Sequence, residues 1–202
     1  AVELRDTDGE LLMTLTHPGN GASGVVFRGG GSSKQLVSVG RDTVARVWDV
    51  DTGEQLRVQQ GHEHPINAVA ASGNGNLLVS AGQETRLMVW DGKTGKLLQI
   101  LSDPKHGHTD FVNALAFSKN GKLLASGGRD ARIVIWDVTK GEVVSTLRGH
   151  SDAVNALAFT DDNKLVVSGS SDTTVKIWDV GQGRQIASLA GHQGSIRALA
   201  IS

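Results

Sequence analysis

Histidine, serine and an acidic residue recur in this chain in one register, each set ending on a tryptophan. The sets are His17, Ser38, Asp42, Trp48; His62, Ser80, Glu84, Trp90; His108, Ser126, Asp130, Trp136; and His150, Ser168, Asp172, Trp178. Histidine to serine is 18 residues in the last three sets and 21 in the first; serine to acid is always four and acid to tryptophan always six. Such a trio could run nucleophilic catalysis, with the imidazole taking the hydroxyl proton and the carboxylate orienting the imidazole. The repetition argues otherwise. A hydrolase needs one trio, and no serine here sits in a Gly-x-Ser-x-Gly elbow opening a helix. The alternative is a structural relay. An indole N–H only donates, a hydroxyl and a neutral imidazole do both, and a carboxylate only accepts, so the four in series can satisfy one another when buried.

Two further motifs invite chemistry and are outweighed. Residues 19–24 match G-x-G-x-x-G, but a dinucleotide fingerprint must follow a strand and open a helix, and this one leads into the apolar run Val25–Phe27. His62-Glu63-His64 and His106-Gly107-His108 suggest a metal. Zinc needs three or four convergent ligands, and His62 and His108 already belong to the recurring sets, which leaves His64 and His106 as a surface pair. No metal and no cofactor is expected.

Composition narrows the class. The chain has 202 residues, 39% hydrophobic and 20% charged, with 20 basic and 21 acidic side chains and a net charge of −1. That balance offers no long-range attraction to nucleic acid or an anionic membrane, so neither is expected as a partner. There is no cysteine, hence no disulfide framework and no thiolate chemistry. No apolar run approaches the length of a membrane span.

The elements that must position these residues are short. Apolar runs of four to seven residues, rich in Val, Ile and Leu, stand between turn clusters, and the 26 glycines against three prolines indicate many tight turns. No segment has helical periodicity or a helix cap. Trp-Asp recurs at 48, 90, 136 and 178, and Gly-His at 61, 107, 149 and 191. The steps are 42 or 46 residues, and each longer step holds the same four-residue insertion within 102–106.

Gly-His followed by Trp-Asp at this period resembles the WD-repeat family of β-propellers, and the resemblance covers nearly the whole chain. It implies an all-β fold of four-stranded blades. Residues 1–15 match the third and fourth strands of one blade. Four complete blades follow at about 17–60, 61–101, 107–147 and 149–189, and 191–202 supply the first strand of another, at Ile196 to Ile201. The family closes its ring at about seven blades, so the chain reads as a segment of a larger propeller. Produced as this segment, it is expected to self-associate through its unpaired blade faces. The resemblance also makes the four His–Ser–acid–Trp sets the hydrogen-bonded frame of each blade. Two depart from the pattern: Glu84 carries an extra methylene, expected to push its carboxylate past the imidazole, and His17 lacks the preceding glycine.

By the same resemblance, the function is non-catalytic. A protein or peptide partner binds on the face carrying the fourth-to-first and second-to-third strand loops. The positions carried over to that face include Ser23, Arg41, Asn67, Gln83, Phe111, Asn113, Arg129, Asn155, Ser171 and Arg197. Phe111, next to Asp110 and outside the alternating core of the following strand, is the candidate anchor, with Arg129 beside it. Packing of Phe111 on its own insertion, and bridging of neighbouring loops by the asparagines, are the structural alternatives. Two other functions stay open: a regulatory or sensory propeller attached to a catalytic domain elsewhere, and a ligand or enzyme site in the central channel. The first strands that would line that channel, NAVAA, NALAF and NALAF, supply no acid, base or metal ligand.

Overall fold

The computed structural model describes residues 1–17, 21–29 and 34–201. A hairpin of β1 (Val2–Arg5) and β2 (Leu11–Leu15) is followed by four antiparallel four-stranded meanders. Blade 1 comprises β3 (Ala22–Arg28), β4 (Gln35–Gly40), β5 (Ala45–Asp49) and β6 (Gln55–Gln59). Blade 2 comprises β7 (Ile66–Ala71), β8 (Leu77–Gly82), β9 (Leu87–Asp91) and β10 (Leu97–Leu101). Blade 3 comprises β11 (Val112–Phe117), β12 (Leu123–Gly128), β13 (Arg132–Asp137) and β14 (Glu142–Arg148). Blade 4 comprises β15 (Val154–Phe159), β16 (Leu165–Ser170), β17 (Val175–Asp179) and β18 (Arg184–Leu189). The fold is all-β, as the apolar runs require.

Each strand's pattern follows from its place in the blade. In blades 1 to 3 the second and third strands lie between neighbouring sheets and are buried on both faces, so they read as apolar runs: LLVSAG in β8 and LMVW in β9. The first strand alternates, as in β7, and the outermost strand is exposed except at its last residue, as in β10. The core therefore lies between blades rather than within them. Val37, Val39, Ala45 and Val47 of blade 1 meet Ile66, Leu78, Met88 and Trp90 of blade 2. Val79, Ala81, Leu87, Val89 and Leu101 meet Val112, Leu124, Val134 and Trp136 of blade 3. Ala125, Ile133, Ile135 and Leu147 meet Val154, Val166 and Trp178 of blade 4. The hairpin packs Val2, Leu4 and Leu15 on Leu36 and Trp48 of blade 1. Every WD tryptophan thus faces the preceding sheet, and each sheet depends on its neighbour for burial.

The glycine of Gly-His is explained by a close approach. A Cβ at Gly61 would lie 3.0 Å from Trp90 Cη2, and one at Gly149 would lie 3.1 Å from Trp178 Cη2. The glycine lets the loop lie flat on the indole edge and so delivers the histidine to the relay.

The expected strand at 196–201 is not formed. Ile196 is buried and its N–H donates to the Ser170 carbonyl at 3.0 Å, but the segment pairs with no strand among the described residues. A ladder needs the second strand of the same blade, and none is present there. Two sheet faces are accordingly less covered. Leu189 is 53% exposed where its counterpart Leu147 is 1%, and Phe27 is 60% exposed in β3. No helix of the described residues is long and apolar enough to cross a membrane.

Candidate functional site

Blades 2, 3 and 4 carry complete relays. In each, the tryptophan Nε1–H donates to serine Oγ at 2.8 Å: Trp90 to Ser80, Trp136 to Ser126, Trp178 to Ser168. The serines lie 2.6, 2.8 and 2.7 Å from Nε2 of His62, His108 and His150. Nδ1 then meets the acid: His62 with Glu84 at 2.6 Å, His108 with Asp130 at 3.1 Å, His150 with Asp172 at 2.7 Å. The proton positions follow. A carboxylate only accepts, so Nδ1 carries the hydrogen; Nε2 is then an acceptor, and the serine hydroxyl donates to it while accepting from the indole. Neutral imidazole satisfies every member. Burial pushes the pKa of His62 and of His150 below its ordinary value, more than the acid partners pull it up. Burial alone would raise Asp172, but hydrogen bonds from Thr174, His150 and the Ser151 backbone outweigh it and hold the carboxyl well below its usual range. With both imidazole nitrogens engaged and the serine proton committed to an enclosed bond, these trios present no open nucleophile.

Glu84 does not overshoot its imidazole. Its Oε1 reaches His62 while Oε2 accepts from Arg86 Nε at 2.6 Å. The turn absorbs the added methylene. The residue after the acid is left-handed in the other three turns, with φ of 65° at Thr43, 61° at Ala131 and 70° at Thr173; Thr85 is not. Blade 1 departs further. Trp48 Nε1 donates to Ser38 at 2.8 Å, but Asp42 Oδ2 is 3.9 Å from His17 Nδ1. Arg46 stands between them, its Nη1 2.6 Å from Asp42 Oδ2 and 3.2 Å from His17 Nε2. The Asp42 contact is ionic, since neither of its oxygens has hydrogen-bond geometry among the described residues.

The relay's end of each blade gathers the loop positions. The second-to-third turns bond back to the start of the first strand: Gln83 N–H to the Pro65 carbonyl at 2.9 Å, Arg129 to Phe111 at 2.7 Å, Ser171 to Ala153 at 2.8 Å. In blade 1 a Cβ at Gly40 would lie 2.6 Å from the Gly21 carbonyl and 2.7 Å from the His17 ring, so this turn too closes on the start of its blade. Arg41 and Arg129 are exposed at the turn tips, while Gln83 and Ser171 are half-buried. The Arg129 guanidinium lies over the half-buried Phe111 ring, 5.9 Å from its centroid. The 102–106 insertion folds on itself, with Asp103 Oδ1 accepting the N–H of Lys105 and of His106 at 2.8 Å each. His106 turns to Asp103 at 3.3 Å, and no three His, Asp or Glu side chains converge on a metal position among the described residues.

The asparagines bridge blades. Asn67 Nδ2 donates to Asn113 Oδ1 at 3.3 Å, and Asn113 Nδ2 to Asn155 Oδ1 at 3.4 Å. Asn155 Nδ2 ends the series on Ser171 Oγ at 2.9 Å and Ser195 Oγ at 3.2 Å. In blade 1 Ser23 Oγ donates to the Ile66 carbonyl. A bulge aims these side chains. Pairing steps from Ile66 to Ala68, Val112 to Ala114, Val154 to Ala156 and Ala22 to Gly24, leaving Asn67, Asn113, Asn155 and Ser23 out of the ladder and turned toward the next blade. The run borders an opening of about 380 Å³ lined by apolar residues of the first strands, by the asparagines and by Arg197. Of the G-x-G-x-x-G motif, Gly19 and Asn20 lie outside the described residues; the remainder leads into β3, not a helix.

Sequential four-stranded meanders packed face to face, each framed by a His–Ser–acid–Trp set, define a WD-repeat β-propeller. The description "WD domain, G-beta repeat" matches residues 53–91, 95–137 and 141–179, and the chain belongs to this WD40 family. Over 70 residues it is 39% identical to nuclear distribution protein PAC1-1 of Uncinocarpus reesii (strain UAMH 1704). That stretch is 34% of this chain and 15% of that protein. Members of the family are in general protein-interaction scaffolds, typically without enzymatic activity.

Proposed function

We propose that this chain is a docking platform that receives a protein or peptide on its loop face, with the Phe111–Arg129 pair as the anchor. The observation that supports it most is the stack of Arg129 on Phe111 at the tip of blade 3. An aromatic ring flattened under a guanidinium is a contact of large area and low conformational freedom, the kind that dominates interface energetics. The relays commit the histidines, and the bridges commit Asn67, Asn113, Asn155 and Ser171, so recognition falls to the other side chains at this end: Arg41, Gln83, Phe111, Arg129 and Arg197. The mechanism is positioning, in which stiff sheets hold several loops in fixed relation.

Site-specific cross-linking tests this. A photoreactive phenylalanine analogue placed at 111 should give light-dependent adducts with a partner in cells, and the same analogue at Lys140, in the turn between β13 and β14 at the opposite end, should not. Adducts from 140 alone would remove the loop face from the account.

A further inference from the structure

Resting on that reading, we propose that the segment received is anionic: a stretch of a protein partner with clustered carboxylates or phosphorylated side chains beside an apolar residue. The relay end of the blades holds two groups of arginine. Arg46, Arg86 and Arg132 are committed. Arg46 meets Asp42 at 2.6 Å, Arg86 meets Glu84 at 2.6 Å and Glu63 at 3.2 Å, and Arg132 donates to the Gly107 carbonyl at 3.1 Å. Arg41, Arg129 and Arg197 are exposed, and their guanidiniums make no ion pair or hydrogen bond among the described residues. Arg41 and Arg129 occupy the same turn position in blades 1 and 3, where blades 2 and 4 carry the neutral Gln83 and Ser171. Arg197 lines the opening beside Asn67, Asn113 and Asn155.

No carboxylate at this end forms an ion pair with those three guanidiniums among the described residues. The carboxylates of Glu84, Asp130 and Asp172 are enclosed in the relays and turned to imidazoles. Glu63 pairs with Arg86, and Asp110 and Asp152 each accept the N–H of the residue that follows, Phe111 and Ala153, at 2.7 and 2.6 Å. A chain of net charge −1 thus presents, on one face, three exposed guanidiniums held in no ion pair among the described residues. The guanidinium fork fits planar carboxylate and phosphate oxygens in pairs. Arg129 can stack on Phe111 and still offer N–H groups at its edge, which places an apolar and an anionic subsite side by side.

The test uses the full chain and three fluorescent peptides of equal length and equal apolar content, bearing glutamates, phosphoserines or lysines, read by anisotropy. A glutamate or phosphoserine peptide should bind, the lysine peptide should not, and affinity should fall as salt rises. The tighter of the two anionic peptides assigns carboxylate or phosphate as the source. Arg41→Glu with Arg129→Glu should weaken binding by about tenfold or more, because charge-assisted pairs are replaced by repulsion. Lys140→Glu at the opposite end should leave it unchanged. Equal binding of the lysine peptide, or binding that survives Arg41→Glu, Arg129→Glu and Arg197→Glu together in a protein that melts like the parent, would overturn the proposal. If adducts form at position 111 while no anionic peptide binds, the docking face stands and the anionic partner falls. If neither occurs, both fall.

Discussion

Asn67 of blade 2 gives its carboxamide N–H to Asn113 of blade 3 at 3.3 Å, and that contact is one step in a run of amides crossing three blades. Each neutral hydrogen bond contributes about 1 kcal/mol net, and Asn113 takes part in two amide contacts, so Asn113→Ala should cost about 1–2 kcal/mol. Urea unfolding measures it. Ser23 holds the same bulge position in blade 1 and donates to the Ile66 carbonyl, as Asn67 donates to that of Val112. Ser23→Asn should extend the run to Asn67 Oδ1 and add up to about 1 kcal/mol. A loss on that substitution would show that the bulge of blade 1 cannot host the larger amide.

Ser126 is the hub of the best-buried relay, receiving the Trp136 indole and facing His108, with serine and indole both fully buried. Ser126→Ala removes one oxygen and leaves two partners unsatisfied at about 1–3 kcal/mol each, a destabilisation of about 2–6 kcal/mol. Calorimetry should show a clear fall in melting temperature. A cost below 1 kcal/mol would mean that the relay is ornamental to stability and that the inter-blade core carries it alone.

Much of this architecture could be read before any coordinates. Strands sandwiched between sheets must be apolar on both faces, so LLVSAG and LMVW announce themselves, and a relay of four polar types needs fixed spacing. The rest lacked a one-dimensional signature. Asn67, Asn113 and Asn155 recur in the sequence, but nothing in their spacing tells that a bulge turns them toward the next blade. Arg46 displaces the blade 1 acid because its chain is long enough to reach both Asp42 and His17, a contact between different elements. Side-chain length alone makes Glu84 overshoot its histidine, and the turn's freedom to change backbone, which brings it into reach, leaves no mark in the sequence. Residues 196–201 have strand composition, yet a strand exists only with a partner to pair with.

Ala131 sits at φ 61° directly after Asp130, in a left-handed conformation that costs an L-residue about 1–2 kcal/mol. Glycine accepts that conformation freely but loses about 0.5–1 kcal/mol through its greater unfolded-state freedom. Ala131→Gly should therefore stabilise the fold by about 0.5–1 kcal/mol, whereas Thr85→Gly in blade 2, whose φ is not positive, should destabilise it. Opposite signs at these two matched positions, seen in paired thermal melts, would confirm that the Glu84 turn has a different backbone.

Phe27 at 60% exposure and Leu189 at 53% lie on sheet faces whose counterparts elsewhere are covered by a neighbouring blade. Produced as residues 1–202 alone, the chain should associate in a concentration-dependent manner in sedimentation velocity. Phe27→Glu combined with Leu189→Glu should shift it toward monomer. A monodisperse monomer across the concentration range would count against association through these faces.

Acid should weaken the fold in two stages. Burial depresses His62 and His150 below the ordinary histidine value of 6.5, so the unfolded chain takes up their protons more readily than the folded one. Their stability contribution is present above that pH and is lost as pH falls through it toward the folded values. Glu84, Asp130 and Asp172 are also depressed, from ordinary values of 4.5, 3.8 and 3.8; burial alone would raise each, but their hydrogen bonds, chiefly with His62, His108 and Thr174 respectively, prevail. Their contribution is present above about pH 4 and fails below it. The urea midpoint should therefore decline first as histidines protonate and again in the carboxylate range. His62→Gln with His150→Gln should remove most of the first decline while lowering stability at neutral pH, because glutamine does not titrate but cannot bridge serine and acid as imidazole does. A midpoint that stays level between neutrality and the carboxylate range in the parent protein would mean that these imidazoles accept protons as easily folded as unfolded, which the neutral relay does not allow.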